Sequence, residues 1–404
     1  MHRIASLSIW LLIFTIPWQD MLMLPGIGTV SRFVGILVIA VSFFATLYLQ
    51  QIRVHLLNLA MLLFWAWGTT TYLWSINPEG TWTAIISYFQ IMVMMWLLLQ
   101  WTTRPEEIER FLSAYVLGCY VSVGATLFAY LYHMESAYKR FAAPGFDPND
   151  LAVIMSLGIP MAGYLAVTAR QGVLCWLYRA YPLMALGVVF LTGSRTGFLV
   201  ALLGCSYMLW TYRDLSFGKK LAFPLLGIVA FLIILPYIPV DSLERIHTIG
   251  SSVSSGDLNY RTRIWAAAME SLEHDPRGGL GVLWGVGWDG FPILVTPYLG
   301  EPYVSHNAYL SIIMETGLIG FTLFCLIFAM VVYHVFRMPR REQGLWLTLL
   351  AMWAIAAMVL NWEFRKETWF LFALAVAHAS VAVGERKEGA DTLAVFPSGK
   401  GLER

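Results

Sequence analysis

Runs of roughly twenty apolar residues recur along this chain, and about twenty is what an α-helix needs to cross the ~30 Å hydrocarbon core of a bilayer. Twelve such spans are expected, at about 4–19, 32–50, 56–74, 82–101, 110–132, 149–169, 173–192, 195–212, 219–236, 306–334, 344–361 and 366–383. Charge is correspondingly thin. Asp, Glu, Lys and Arg make up 13% of the 404 residues, against about a quarter in a soluble domain, and they collect between the apolar runs. The expected fold class is an all-α polytopic membrane protein, with membrane lipid as its solvent. Seventeen Trp and 19 Tyr suit aromatic belts at the two membrane surfaces. The net charge of +1 comes with no basic stripe, so nucleic acid is not an expected partner. Cys119, Cys175, Cys205 and Cys325 fall inside apolar runs at irregular spacing, which indicates neither a disulfide frame nor a zinc site.

The first run follows Arg3 and ends at Pro17 with no small-x-small cleavage site after it, so it reads as an uncleaved span. No internal repeat is evident, which gives an inverted-repeat transporter plan no support. Orientation follows from the basic residues. With twelve spans, one side carries Arg32, Lys139, Arg140, Arg195, Arg245, Arg261, Arg263, Arg277, Arg365 and Lys366, and the remaining sixteen of the 26 lie on the side of the termini. Both termini are therefore expected in the cytoplasm. The expected division is nine helices over 1–236, a large outer loop over 237–305, three helices over 306–383 and a cytoplasmic tail over 384–404.

A loop of that length without structure of its own is uncommon and usually functional. It opens with a polar stretch, Ser251-Ser252-Val253-Ser254-Ser255-Gly256, and continues through a helical pattern at 260–274 and a glycine-rich stretch at 278–290. Set at about 100° per residue from Tyr260, Ile264, Ala268, Leu272, Trp265 and Met269 form an apolar stripe with Arg261 in its middle, while Arg263 falls beside Glu270 on the polar face. Arg263 is a solvated charge on this reading. A guanidinium on a buried stripe calls for an anionic partner or ligand, unless its stem snorkels it to water. Arg195 follows a tight turn, Thr192-Gly193-Ser194-Arg195-Thr196-Gly197, and opens a helix that Ser194 is placed to cap. Free N–H groups beside a bidentate cation suit a phosphate; an interfacial anchor is the plainer alternative. His306 stands at the entry of the next span, where an imidazole titrating near 6.5 can act as a base. Helical spacing sets Gly317 and Gly320 on its face and Glu315 opposite, so Glu315 is not its expected carboxylate partner. No Asp-x-Asp or metal-ligand cluster occurs, so neither metal nor cofactor is expected.

The chain resembles the O-antigen ligase/polymerase family of bacterial envelope glycosyltransferases. Four features carry the likeness: the Thr192–Gly197 turn; Arg261-x-x-Ile264-Trp265 with the later Gly285-Val286-Gly287-Trp288-Asp289-Gly290-Phe291; His306-Asn307-x-Tyr309-Leu310 followed by Glu315-x-Gly317-x-x-Gly320; and, more faintly, Asp147-Pro148-Asn149-Asp150-Leu151-Ala152. The family's proline usually stands close before its Gly-x-Gly, whereas here residues 277–284 intervene after Pro276, and Arg277 receives no role. The resemblance implies a GT-C-like fold in the inner membrane, with its active site facing the periplasm. The implied donor is an undecaprenyl-diphosphate-linked glycan, and the implied acceptor is a sugar hydroxyl of lipid A–core or of a growing glycan. Arg195 and Arg261 would hold the diphosphate, His306 would orient or deprotonate the acceptor, and Ser194, Asn307 and Tyr309 would line the site. The resemblance favours a ligase, with a repeat-unit polymerase of O-antigen or exopolysaccharide as the alternative, since both use the same donor chemistry. A lipid-linked oligosaccharide flippase is the alternative of another class.

Overall fold

A computed structural model describes residues 1–26, 28–50, 52–135, 140–168, 172–211, 218, 236, 239–247, 260–274 and 281–394, with side chains placed except at 246–247 and 384–394. Its helices are α1 (His2–Thr15), α2 (Val30–Leu49), α3 (Leu56–Thr70), α4 (Pro78–Trp101), α5 (Pro105–Leu131), α6 (Pro148–Thr168), α7 (Val173–Thr192) and α8 (Arg195–Thr211). Then follow α9 (Val240–His247), α10 (Arg261–Glu273), α11 (Gly281–Trp284), α12 (Phe291–Leu299), α13 (Ala308–Phe336), α14 (Arg340–Ala357) and α15 (Lys366–Ala394). Among the described residues nine helical segments are long and apolar enough to cross a membrane; the chain is a multi-pass membrane protein. Two expected spans are helices outside that nine: α8 has 17 residues, and α14 opens on Arg340, Arg341 and Glu342. The run at 219–236 lies outside the described residues except at its last position, Pro236. The polar stretch 251–256 and residues 276–280, Pro276 and Arg277 among them, lie outside them entirely.

The ends of these helices are written into the sequence. Asn77 accepts the Gly80 N–H at the start of α4, Glu107 accepts the N–H groups of Thr103 and Arg104 at the start of α5, and proline follows directly at 78, 105 and 148. Proline is tolerated there because its missing N–H would have had no helical partner. Two helices form the centre. Every residue from Leu151 to Leu165 of α6 is buried, as is every residue from Glu367 to Ala379 of α15. Small residues let α6 be approached closely: a side chain at Gly197 of α8 would lie 2.2 Å from Ala152, and one at Gly158 would strike the Tyr181 hydroxyl on α7. At the periphery α2 turns Ile36, Leu37, Phe43, Phe44 and Leu47 outward, as a lipid-facing helix does.

The span expected as one helix over 306–334 is instead broken at Gly317, whose φ of 67° and ψ of −176° interrupt α13. A break leaves carbonyls in need of donors, a costly state away from water, and three carbonyls beside Gly317 accept donors from outside the helix. Val286 N–H donates to Met314 O and Gly287 N–H to Glu315 O, each at 2.9 Å, while the Trp67 indole donates to Thr316 O at 2.8 Å. The glycine-rich segment is therefore a backbone patch on a broken helix. Its other side docks on the α3–α4 hairpin: Ile76 N–H donates to Val286 O, Thr81 Oγ1 to Trp288 O and Asn77 Nδ2 to Asp289 O. Trp288 drives into the bundle, stacked on Tyr88 with ring centroids 4.4 Å apart, over Gly68, where no Cβ would fit.

A Cβ at Gly317 would lie 2.1 Å from Leu283 O, in a backbone region that L-residues rarely adopt. Gly317→Ala should cost roughly 2 kcal/mol or more. Gly187, with no neighbour within 4 Å of a built Cβ, should accept alanine without loss. Thermal unfolding of the two variants in detergent measures the difference.

Candidate functional site

Four chain segments meet at one end of the bundle: the connection after α5, the α7–α8 turn, helix α10 with the 300–307 approach to α13, and the 358–365 connection. The α7–α8 turn forms as its residues require. Gly193 takes the left-handed φ of 56° that ends α7, and buried Ser194 accepts the Gly197 N–H at 3.1 Å, capping α8. Arg195 then opens the helix, its Nε donating to Arg245 O of α9 at 2.9 Å. Arg140 lies fully inside this corner. Its Nε donates to Thr192 O at 2.5 Å and its Nη2 to Asn149 Oδ1 at 2.8 Å. Asp147 accepts the Asn149 N–H at 2.7 Å and so caps α6.

Helix α10 runs where it is expected, but its buried face is turned. Ile264, Ala267, Ala268 and Ser271 are buried, while Met269 is 55% exposed. Arg261 is therefore at the edge of the buried arc, not in its middle, about 70° from the centre at 100° per residue. There it is half-buried and within electrostatic reach of Arg195 and Asp147. Burial lowers its affinity for a proton, Asp147 opposes that, and Arg195 adds to it. Arg140 is pulled down to about 10, first by burial and then by Arg245, with Asp147 opposing and Arg261 reinforcing; it stays charged at neutral pH. Arg263 is exposed and stacks over the Tyr260 ring at 4.8 Å.

His306 is not in helical register with α13. It precedes the cap Asn307, which accepts the Leu310 N–H at 3.1 Å, and its own φ is +47°. The angular comparison with Gly317, Gly320 and Glu315 therefore does not apply to it, although Glu315 is indeed turned elsewhere, toward the backbone N–H groups of Asp289 and Phe291. The histidine turn is pinned from two sides. Asn361 accepts the His306 N–H at 2.8 Å and donates to Ser305 Oγ at 2.8 Å, while the Trp265 indole of α10 donates to Ser305 O at 2.8 Å. The ring itself is half-buried, held below its usual titration range by burial and then by Arg261, against the pull of Asp147. Burial and Arg261 thus favour the neutral imidazole. Tyr309 donates to Ala354 O at 3.2 Å, so its hydroxyl ties α13 to α14, and the Asn307 side-chain oxygen is taken by its cap. Of the expected site residues, Ser194, Arg195, Arg261 and His306 converge; Asn307 and Tyr309 stand behind them.

Arg140, Asp147, Arg245 and Asn361 are residues that spacing does not single out. Asp147 lies in the faintest of the quoted motifs. Asn361 belongs to Asn361-Trp362-Glu363-Phe364-Arg365-Lys366, an unusually polar connection between two spans, and that polarity is the available signal.

Behind Asn361 sits Glu363, 1% exposed, taking an Asn361 N–H at 3.3 Å. Burial pushes its carboxyl up to about 7. A carboxyl raised on folding contributes stability below its unfolded value near 4.5 and loses it as pH rises through about 7. The melting temperature of the wild type should therefore fall between pH 5 and 8 more steeply than that of Glu363→Gln. Melting curves across that window test this.

The sequence model of a family described as O-antigen ligase matches residues 180–325, from α7 through the break in α13. No curated protein matches the chain. The matched stretch contains Arg195, Arg261 and His306, and over residues 180–325 this membrane protein is similar to the O-antigen ligase family.

Proposed function

We propose that the protein is an O-antigen ligase-type glycosyltransferase. It moves a glycan from undecaprenyl diphosphate to a sugar hydroxyl of lipid A–core, at the periplasmic face of the inner membrane. In this reading the termini are cytoplasmic, the fold is GT-C-like, residues 237–305 form the outer loop over twelve helices, and 384–404 are a cytoplasmic tail. The observation that carries it is the meeting of like charges beside a neutral base. Arg140 and Arg261 are disfavoured first by burial and then by neighbouring arginines, with Asp147 opposing, next to a histidine held below its usual titration range by burial and then by Arg261. Such a cluster is relieved by an anion, and a lipid diphosphate supplies two phosphates at the membrane surface.

The chemistry follows from that arrangement. Arg195 and Arg261, backed by Arg140 and the N-terminus of α8, hold the diphosphate and neutralise the charge that grows as the anomeric C–O bond breaks. The acceptor hydroxyl attacks the anomeric carbon from the opposite side, inverting it, and His306 takes its proton. Ser194 and Asn307 keep the two helix starts in place around the donor, and Tyr309 fixes the span that carries the base. Diphosphate is a good leaving group, so cations and one base suffice.

Complementation separates the readings. Restored attachment of long glycan to lipid A–core in a ligase-null strain supports the proposal; rescue of a polymerase-null strain alone selects repeat-unit polymerisation instead. A flippase would show no glycosyl transfer from purified donor to acceptor. In the transfer assay, Arg195→Ala, Arg261→Ala and His306→Ala should each lose about 10²-fold or more. The rate of the wild type should fall only below about pH 6.5, because the base is neutral above it. Full activity in both His306→Ala and Arg195→Ala refutes the site assignment.

A further inference from the structure

A second cationic site lies on the far side of the Arg365 connection. There a cavity of about 270 Å³ opens between α1, α2 and α4 and the start of α15. Its rim holds Arg32, Arg365 and Lys366 with Asp20, and its walls are apolar, among them Leu12, Ile39, Met94 and Leu97. Arg365 is already engaged, bridging Asp20 at 3.1 Å and Asp150. Lys366 is held by neutral oxygens, Gln19 Oε1 at 2.6 Å and Ser31 Oγ at 2.7 Å. Among the described residues Arg32 makes neither a hydrogen bond nor an ion pair. The other nearby acid, Glu367, is fully buried and lies behind the rim, so the charge turned toward the cavity is positive.

The shape is as informative as the charge. From Ser31 on the rim to Ile39 on the wall, α2 descends eight residues, about 12 Å at 1.5 Å per residue. That is most of one leaflet of a ~30 Å hydrocarbon core. Ile36 and Ile39 are 56% and 42% exposed, so the cavity is open sideways to lipid. Gly35 lines it, and a Cβ there would meet only Leu12, at 3.9 Å. A groove with a cationic rim and an apolar trough running along a lipid-facing helix has the two-part chemistry of a lipid.

We infer that this groove holds a bilayer phospholipid, its anionic phosphate headgroup at Arg32 and Lys366 and one acyl chain along Gly35, Ile39 and Met94. The bilayer presents that molecule at far higher concentration than any lipid carrier, and the Asp20–Arg365–Asp150 bridge stands between the groove and the Arg195–Arg261 site. The inference is independent of glycosyl transfer.

The test is native mass spectrometry of the full-length protein released from nanodiscs of equimolar phosphatidylglycerol and phosphatidylcholine. The wild type should retain phosphatidylglycerol preferentially. Arg32→Ala should reduce that retention on the order of tenfold, the worth of one charge-assisted contact. Gly35→Phe should abolish retention of either lipid by filling the trough, with the melting temperature of both variants showing that they fold. Equal retention of the two lipids, or unchanged phosphatidylglycerol retention in both variants, overturns the inference. So does displacement of the bound lipid by undecaprenyl diphosphate at stoichiometric amounts, which would make the groove a carrier site. Inorganic phosphate that raises the melting temperature of the wild type as much as phosphatidylglycerol does would also overturn it, reducing the site to an anion pocket without a lipid trough.

Discussion

Away from water, a peptide carbonyl without a donor is among the most expensive things a membrane protein can contain, and at the Gly317 break three carbonyls accept donors from outside the helix. Their satisfaction by Val286, Gly287 and Trp67 fixes where the outer segment must lie. Once residues 285–289 are bonded into the broken helix and wedged by Trp288, the chain that follows is bound to the bundle through α12. The approach to His306 then starts from a fixed place. The glycines at 285 and 287 serve the same end: both have positive φ, and side chains there would run into Glu315 O and Ser75. A motif rich in glycine near a catalytic candidate invites a ligand-binding reading, yet here its backbone is occupied by the protein itself.

The candidate site is organised on the opposite principle, with charges brought together against their own repulsion. Neutral acceptors do much of the holding: a carbonyl of α7 and the Asn149 amide for Arg140, a carbonyl of α9 for Arg195. For Arg140, hydrogen bonds to neutral oxygens position the guanidinium without cancelling its charge. Burial, and then Arg261 of the same group, holds His306 below its usual titration range. One group of cations thus bears on both halves of the proposed reaction, the leaving group and the base.

Much of this is legible in the sequence because lipid imposes simple rules. The helices come close to the expected apolar runs, as at 173–192, where the bounds coincide, and the Ser194 cap and the helix opening at Arg195 follow from local turn chemistry. What fails are inferences that extend a regular helix too far. His306 has no angle on α13, because a left-handed residue and a cap intervene. Arg261 is not centred on the buried stripe, because tertiary packing rotates it: Trp265 reaches across to Ser305 and Met269 is left outside. Arg140 and Asn361 are beyond reach for a different reason. Their partners lie 52 and 55 residues away in the chain, and no local period records such a pairing.

The Arg365 bridge ties together residues that are made far apart in time. Asp20 follows the first helix, Asp150 opens the sixth, and Arg365 arrives only just before the last. Until that final hairpin inserts, two carboxylates near the membrane surface lack their shared cation, and the His306 turn lacks Asn361. A nascent chain therefore passes through insertion with its site unformed and its charges unbalanced. In the order of synthesis, the bridge and the pinned His306 turn can form only once the segment carrying Asn361 and Arg365 has been made.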